Sequence, residues 1–201
     1  MTERSETMKL GEIATVRSGL VLSRKQATEK TDYRYKLLNL RSLTPDGINI
    51  ADTDVFDATE PLNFEYLSHE GDVIVRLSAP YTAIVVDSST EGMVISSNFV
   101  IIRPEKKFIL PEYLFWLLNT SKVKREIYEN TSSNMLGAIK AKYFSEFEVS
   151  LLPIEEQRKI SDFYMLSKKE KKLMLQLTEE KEKLYSILLN KAQKNMRREK
   201  R

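Results

Sequence analysis

The residues Arg76-Leu77-Ser78-Ala79-Pro80-Tyr81-Thr82-Ala83 include the types best suited to chemistry on a nucleic-acid base. Ser78-Ala79-Pro80-Tyr81 approximates the Asp/Asn/Ser-Pro-Pro-Tyr box with which amino-methyltransferases hold a base's exocyclic nitrogen against S-adenosylmethionine. Such a box needs a methyl donor beside it. The donor in turn needs a glycine-rich turn, where backbone approaches the cofactor without a Cβ in the way. The six glycines stand at positions 11, 19, 47, 71, 92 and 137, so no Gly-x-Gly occurs. The same spacing removes the phosphate-cradling loop of nucleotide-binding proteins. Without a cofactor site, and with alanine in place of one proline, the box reads as a strand-end turn with a tyrosine at its tip.

Other chemistries fail on similar grounds. A nuclease needs clustered carboxylates and a lysine. The best imitation, Pro45-Asp46 with Glu105-Lys106-Lys107, is split by about 60 residues and sits in turn contexts. There is no cysteine, and the one histidine, His69, has no nucleophile motif to serve; it reads as a surface residue of Leu67-Ser68-His69-Glu70. Neither a metal nor a cofactor is expected.

The elements that would position these residues are β-rich. Residues 33–43, 72–78, 83–87 and 93–104 are β-branched runs separated by turn residues such as Pro45-Asp46-Gly47 and Glu91-Gly92. Their spacing leaves no room for crossover helices, so a mixed or antiparallel sheet is expected. Before them, Met8 to Gly19 reads as a short helical turn and a polar segment follows to Lys30. After them, Pro111 opens a helix through about Asn130 that would place Leu114, Trp116, Leu117, Leu118, Val123 and Ile127 on one face. A polar loop and a short strand, Glu146 to Leu152, lead to Pro153.

No glycine or proline follows Pro153, and the helical pattern runs on to about Lys191. One heptad register puts Phe163, Leu166, Leu173, Leu177, Leu184 and Ile187 at core positions, with Glu170, Glu180 and Lys191 at the others. Such a helix is about 60 Å long, more than the diameter of a 150-residue body, so its stripe needs a partner outside the domain. The expected fold class is α+β: a mixed or antiparallel β-rich domain over residues 1–152 with a few helices, then one long coiled-coil helix over 153–201.

Charge follows the same division. Residues 1–153 hold 18 Lys+Arg against 21 Asp+Glu, a balance of −3, and residues 154–201 hold 14 against 8, a balance of +6. Any face of the body that binds nucleic acid must therefore be local. The polar start has no apolar signal core, and no apolar run approaches the roughly 18 residues of a membrane span. A cytoplasmic protein that does not enter membranes is expected.

Four stretches in order carry a resemblance: Lys9 to Gly19, Leu67 to Ser78, Ser96 to Thr120, and Glu146 to Leu173. Together they resemble the DNA specificity (S) subunit of type I restriction-modification systems, over about residues 8 to 191. Leu152-Pro153-Ile154-Glu155-Glu156-Gln157-Arg158-Lys159-Ile160 is similar to the signature joining a target recognition domain to its long helix.

The resemblance implies a non-catalytic protein that reads double-stranded DNA and holds methyltransferase (M) subunits and, through them, the restriction (R) subunit. Family members usually carry two recognition domains and two helices, whereas this sequence has one of each and looks like a half-subunit. Two copies pairing their helices antiparallel would form a homodimer and read a symmetric interrupted site, with half-sites at most roughly 18 base pairs apart. The alternative is a truncated scaffold or regulator that binds methyltransferase subunits without reading DNA.

Base reading needs Arg for guanine and Asn or Gln for adenine, with Lys, Arg, Ser and Thr on phosphates. Three clusters offer them: Asn39, Arg41 and Ser42; Arg76, Ser78, Tyr81 and Thr82; and Ser132, Ser133, Asn134, Lys140 and Lys142. Ser97 and Asn98 join them. The third cluster lies where the family carries a Gly/Ser-rich loop at the DNA. Each of these residue types also serves in ordinary turns and helix caps, and Arg41 equally suits a strand-edge salt bridge.

Overall fold

The computed structural model describes residues 6–45, 47–132 and 139–199. The chain divides into two compact units, Met1–Ser161 and Asp162–Arg201.

The first unit is built on a four-stranded antiparallel sheet. Its strands are β2 (Ala14–Ser18), β7 (Val73–Arg76), β8 (Ala83–Val85) and β10 (Phe99–Pro104), in the order β2-β10-β7-β8. Phe99, Val100, Ile101 and Ile102 are all buried, as are Val73, Ile74 and Val75. Unbroken apolar runs of this kind belong to strands covered on both faces. A second sheet, β6-β3-β9, joins β6 (Asp54–Asp57), β3 (Arg34–Leu38) and β9 (Val94–Ile95), with β3 parallel to β9 and antiparallel to β6. Between the sheets lies a core of Leu38, Leu43, Ile74, Ile84, Ile95, Phe99 and Ile101. Two small pairs complete the strands: β1 (Glu6–Lys9) with β11 (Glu148–Leu151), and β4 (Leu43–Thr44) with β5 (Gly47–Ile48).

Among the described residues five α-helices accompany the sheets. A single turn, α1 (Leu10–Ile13), separates β1 from β2. The helical reading of Met8 to Gly19 holds only for that turn; Ala14–Ser18 instead pairs with β10, because the chain reverses along an edge that offers a full antiparallel ladder. The helix expected after Pro111 is two, α2 (Pro111–Asn119) and α3 (Ser121–Ser132). Thr120 breaks it: its backbone is extended and its hydroxyl donates to the Leu117 carbonyl at 2.7 Å. A Thr side chain that bonds locally competes with helix continuation. Asn119 turns the break to use, since its amide donates to Ala83 O at 2.9 Å and accepts from Ala83 N, closing the free edge of β8. Leu114, Leu118, Val123 and Ile127 are buried as the stripe predicts, while Trp116 and Leu117 are half-buried. A fourth helix, α4 (Ala141–Glu146), precedes β11.

The last helix, α5 (Ile154–Glu199), begins inside the first unit. Gln157 is fully buried there; its amide donates to Phe108 O and Leu152 O at 2.8 Å, and its carbonyl accepts from Leu110 N at 2.9 Å. The glutamine of the signature sequence is thus a latch between the helix start, the strand before it and the cap of α2. In the second unit Phe163, Leu166, Leu173, Leu177, Leu184 and Ile187 are all exposed, Phe163 by 78%.

One glycine is required by space. A Cβ on Gly19 would stand 2.2 Å from Ser96 O and 2.4 Å from Ile95 O, both backbone atoms. Gly19→Ala is expected to lower stability by about 1–3 kcal/mol, readable as a lower urea midpoint in a Trp116 fluorescence titration. An unchanged midpoint would show that strands β2 and β9 part at no cost.

Candidate nucleic-acid interface

Antiparallel pairing brings several chain reversals to one end of the four-stranded sheet. Ser18 faces Val100 across β2 and β10, and Phe99 faces Arg76 across β10 and β7. The turn after β7, the turn before β10 and the end of β2 therefore converge. They form an open cleft of about 470 Å³ lined by Ser18, Leu77, Ser78, Ser97, Asn98, and by Ile139 to Lys142 at the entry to α4. Backbone bonds tie its walls together: Leu77 N donates to Asn98 O at 3.0 Å and Ile139 N to Leu77 O at 3.4 Å.

The cleft gathers Ser78, Ser97, Asn98, Lys140 and Lys142 from separate parts of the sequence. Lys140, Lys142, Ser97 and Asn98 are exposed. Arg76 is half-buried and is not part of the cleft lining, its Nε donating to Ser78 Oγ at 3.0 Å. Ser18 lines the cleft too, and sequence reading missed it; the one signal in Arg17-Ser18-Gly19 is a polar residue ahead of a glycine.

Three residues named as readers are buried. Tyr81 is buried, in the left-handed region with φ of 52°, and its hydroxyl pairs with Thr131 Oγ1 at 2.9 Å. An apolar ring with one polar tip suits a buried site that supplies a partner for the hydroxyl, and that burial offsets an unfavourable backbone. Thr82 is buried beside it, just ahead of β8. Ser42 is fully buried, its hydroxyl donating to Asn39 O at 3.0 Å in a turn that Asn39 closes by accepting from Arg41 N and Ser42 N.

The rest of that cluster is also occupied. The Asn39 amide donates to Asp52 O and Asp54 Oδ2, and Arg41 pairs with Asp54 Oδ1. The strand-edge salt bridge is the reading the structure favours for Arg41. Ser133 and Asn134, with the side chain of Ser132, lie outside the described residues.

His69 is more than a surface residue. It is half-buried, stacked on Phe64 with ring centroids 3.6 Å apart, and its Nδ1 lies 3.4 Å from Glu91 Oε1. Over the same Phe64 ring lies Arg103, which grips the buried Asp72 with two bonds of 2.7 and 2.8 Å. The hydrogen bond to Asp72 raises the Arg103 pKa, so the guanidinium stays charged. Asp72 and Arg103 both fall in stretches that carried the resemblance, and their pairing joins the start of β7 to the end of β10. On α4, burial and then the carboxylate of Glu126 push the Tyr143 phenol upward, keeping it neutral. No group of residues able to hold a metal occurs among the described residues, and no described helix is long and apolar enough to cross a membrane.

Residues 2–184 match the type I restriction modification DNA specificity domain. The chain belongs to that family. Among solved structures this specificity-domain chain is similar to one from a study of complex assembly and conformational transition of the type I R-M system, at 18% identity and a TM-score of 0.61 over 84% of this chain and 43% of the other. It is similar to the HsdS subunit of Thermoanaerobacter tengcongensis, at 17% identity and a TM-score of 0.64 over 86% and 44%. A third likeness is to the type I S subunit of M. genitalium, at 16% identity and a TM-score of 0.50 over 83% and 41%. These likenesses concern the fold, and the chain spans less than half the length of each. No curated protein matches it. The specificity-domain fold is α+β, with antiparallel and mixed sheets, a few short helices and a long C-terminal helix.

Proposed function

We propose that this chain is the DNA-reading, non-catalytic component of a type I restriction-modification system, choosing the sequence on which methyltransferase subunits act. The observation that carries the reading is family membership across residues 2–184. In this account the first unit reads double-stranded DNA with the cleft at the end of the four-stranded sheet. Lys140 and Lys142 supply the local positive charge that a body with a balance of −3 otherwise lacks (18 Lys+Arg against 21 Asp+Glu over residues 1–153). The apolar stripe from Phe163 to Ile187 pairs with the helix of a second copy and supports the methyltransferase subunits, and through them the restriction subunit. A homodimer so made presents two identical reading domains and suits an interrupted site with two-fold symmetry.

The test is binding of the chain, co-purified with type I methyltransferase subunits of its own source, to a pool of duplexes across a salt series. A DNA reader keeps a preferred subset bound at least about 10³-fold more tightly than the remainder. Its affinity falls steeply with salt as phosphate counterions are released. Equal, weak affinity for all duplexes would support instead a scaffold that holds methyltransferase subunits without reading DNA.

A further inference from the structure

Within that DNA-reading function, on which this inference rests, we propose that Asn98 is the base-discriminating residue of the cleft and that it reads adenine, while Lys140 and Lys142 hold the phosphates of the same half-site.

The candidate side chains differ in how they are employed. Readout demands a polar group on a fixed base with its own donors and acceptors unspent. Asn39 is an amide spent on its own protein, with donors on Asp52 and Asp54 and its carbonyl on two backbone N–H groups. Arg41 is spent on Asp52 and Asp54, and Arg76 Nε on Ser78. Asn98 is exposed, and its carboxamide has no hydrogen-bond partner among the described residues.

Its backbone is nevertheless held from three sides. Asn98 O accepts from Leu77 N at 3.0 Å, Ser97 N donates to Leu20 O at 2.8 Å, and Phe99 N donates to Ser96 O at 3.0 Å. The neighbouring Phe99 is fully buried, and Gly19 packs its bare Cα against Ser96, where no side chain fits. A rigid turn thus presents one unsatisfied carboxamide at the cleft. A carboxamide sets a donor beside an acceptor, the pattern that matches N6 and N7 of adenine in the major groove. The two lysines that also line the cleft are point charges on flexible stems, suited to phosphate and without a planar group that fixes one base edge in one orientation.

The test is selection from a randomised duplex library by the full chain with its methyltransferase subunits. Wild type, Asn98→Ala, Asn98→Asp and the pair Lys140→Ala with Lys142→Ala are compared, each checked for an unchanged melting transition. Asn98→Ala is expected to lose preference at one adenine position by about tenfold or more, with the other positions kept. Asn98→Asp, which can only accept, shifts that position toward cytosine. The double lysine variant weakens all sequences alike and flattens the salt dependence by about one unit of slope per lost phosphate contact.

An unaltered motif in both Asn98 variants overturns the inference and leaves the DNA-reading function standing. So does loss of binding to every sequence by folded Asn98 variants, which would make Asn98 a general grip. Failure of wild type to select any sequence removes both.

Discussion

Gln157→Leu is expected to destabilise the first unit by about 3–5 kcal/mol, the largest effect of any single substitution considered. Leucine fills nearly the same volume, so the loss comes from hydrogen bonds and not from a cavity. Leu110 N, Phe108 O and Leu152 O each lose their side-chain partner in a site where Gln157 is fully buried. A buried main-chain group left unsatisfied costs about 1–3 kcal/mol, and partial rescue by water keeps the sum below the maximum. The only tryptophan, Trp116, sits on α2 just beyond the latch, so its fluorescence during urea unfolding reports this unit. A shift of less than about 1 kcal/mol, the size of one ordinary hydrogen bond, would show that the glutamine does not lock the helix start.

Replacing Leu173, Leu177 and Leu184 together by aspartate is expected to convert a dimer into a monomer. Each leucine is 52–55% exposed in the single chain, so pairing can bury roughly half of its surface. At roughly 1 kcal/mol per half-buried leucine, and two copies of the stripe, the transfer term alone is about 6 kcal/mol, or more than 10³-fold in dissociation constant. The charges placed in the seam add to it. Light scattering of the wild type should give twice the chain mass, and the variant the single mass. The Trp116 unfolding transition should be unchanged, because the three positions lie in the second unit. A monomeric wild type would overturn the homodimer and leave the stripe to a different partner.

The parts of this molecule that were legible in its sequence are those where one physical term dominates. Val73 to Val75 and Phe99 to Ile102 are apolar without interruption, and the sheet centre follows from them. The long helix follows from the absence of glycine and proline after Pro153. Strand β2 was hidden because Ala14–Ser18 is an edge strand with one buried residue, and its partner β10 lies some 85 residues away. The break at Thr120 was hidden because the apolar spacing continues across it, while the hydroxyl bond to Leu117 that ends α2 leaves no periodic trace.

The candidate site divides in the same way. Ser78, Ser97, Asn98, Lys140 and Lys142 could be named from residue type and loop context, and the fold brings them to one cleft. Type alone does not say whether a polar group is already spent. Ser42, Tyr81 and Thr82 are buried, and Asn39 and Arg41 are bound to Asp52 and Asp54, facts that only tertiary pairing creates. Gln157 and Asp72 stood within the stretches that carried the resemblance, yet their hydrogen bonds to distant backbone and to Arg103 gave no local signal.

The central claim, that this chain chooses the DNA sequence on which its partners act, is tested most directly by mapping methylated bases across the genome of its source. Cells carrying the chain are compared with cells lacking it, the methyltransferase subunits being present in both. The account predicts one methylated sequence motif that disappears with the chain and returns when it is restored. A set of methylated motifs identical in both cells would contradict it.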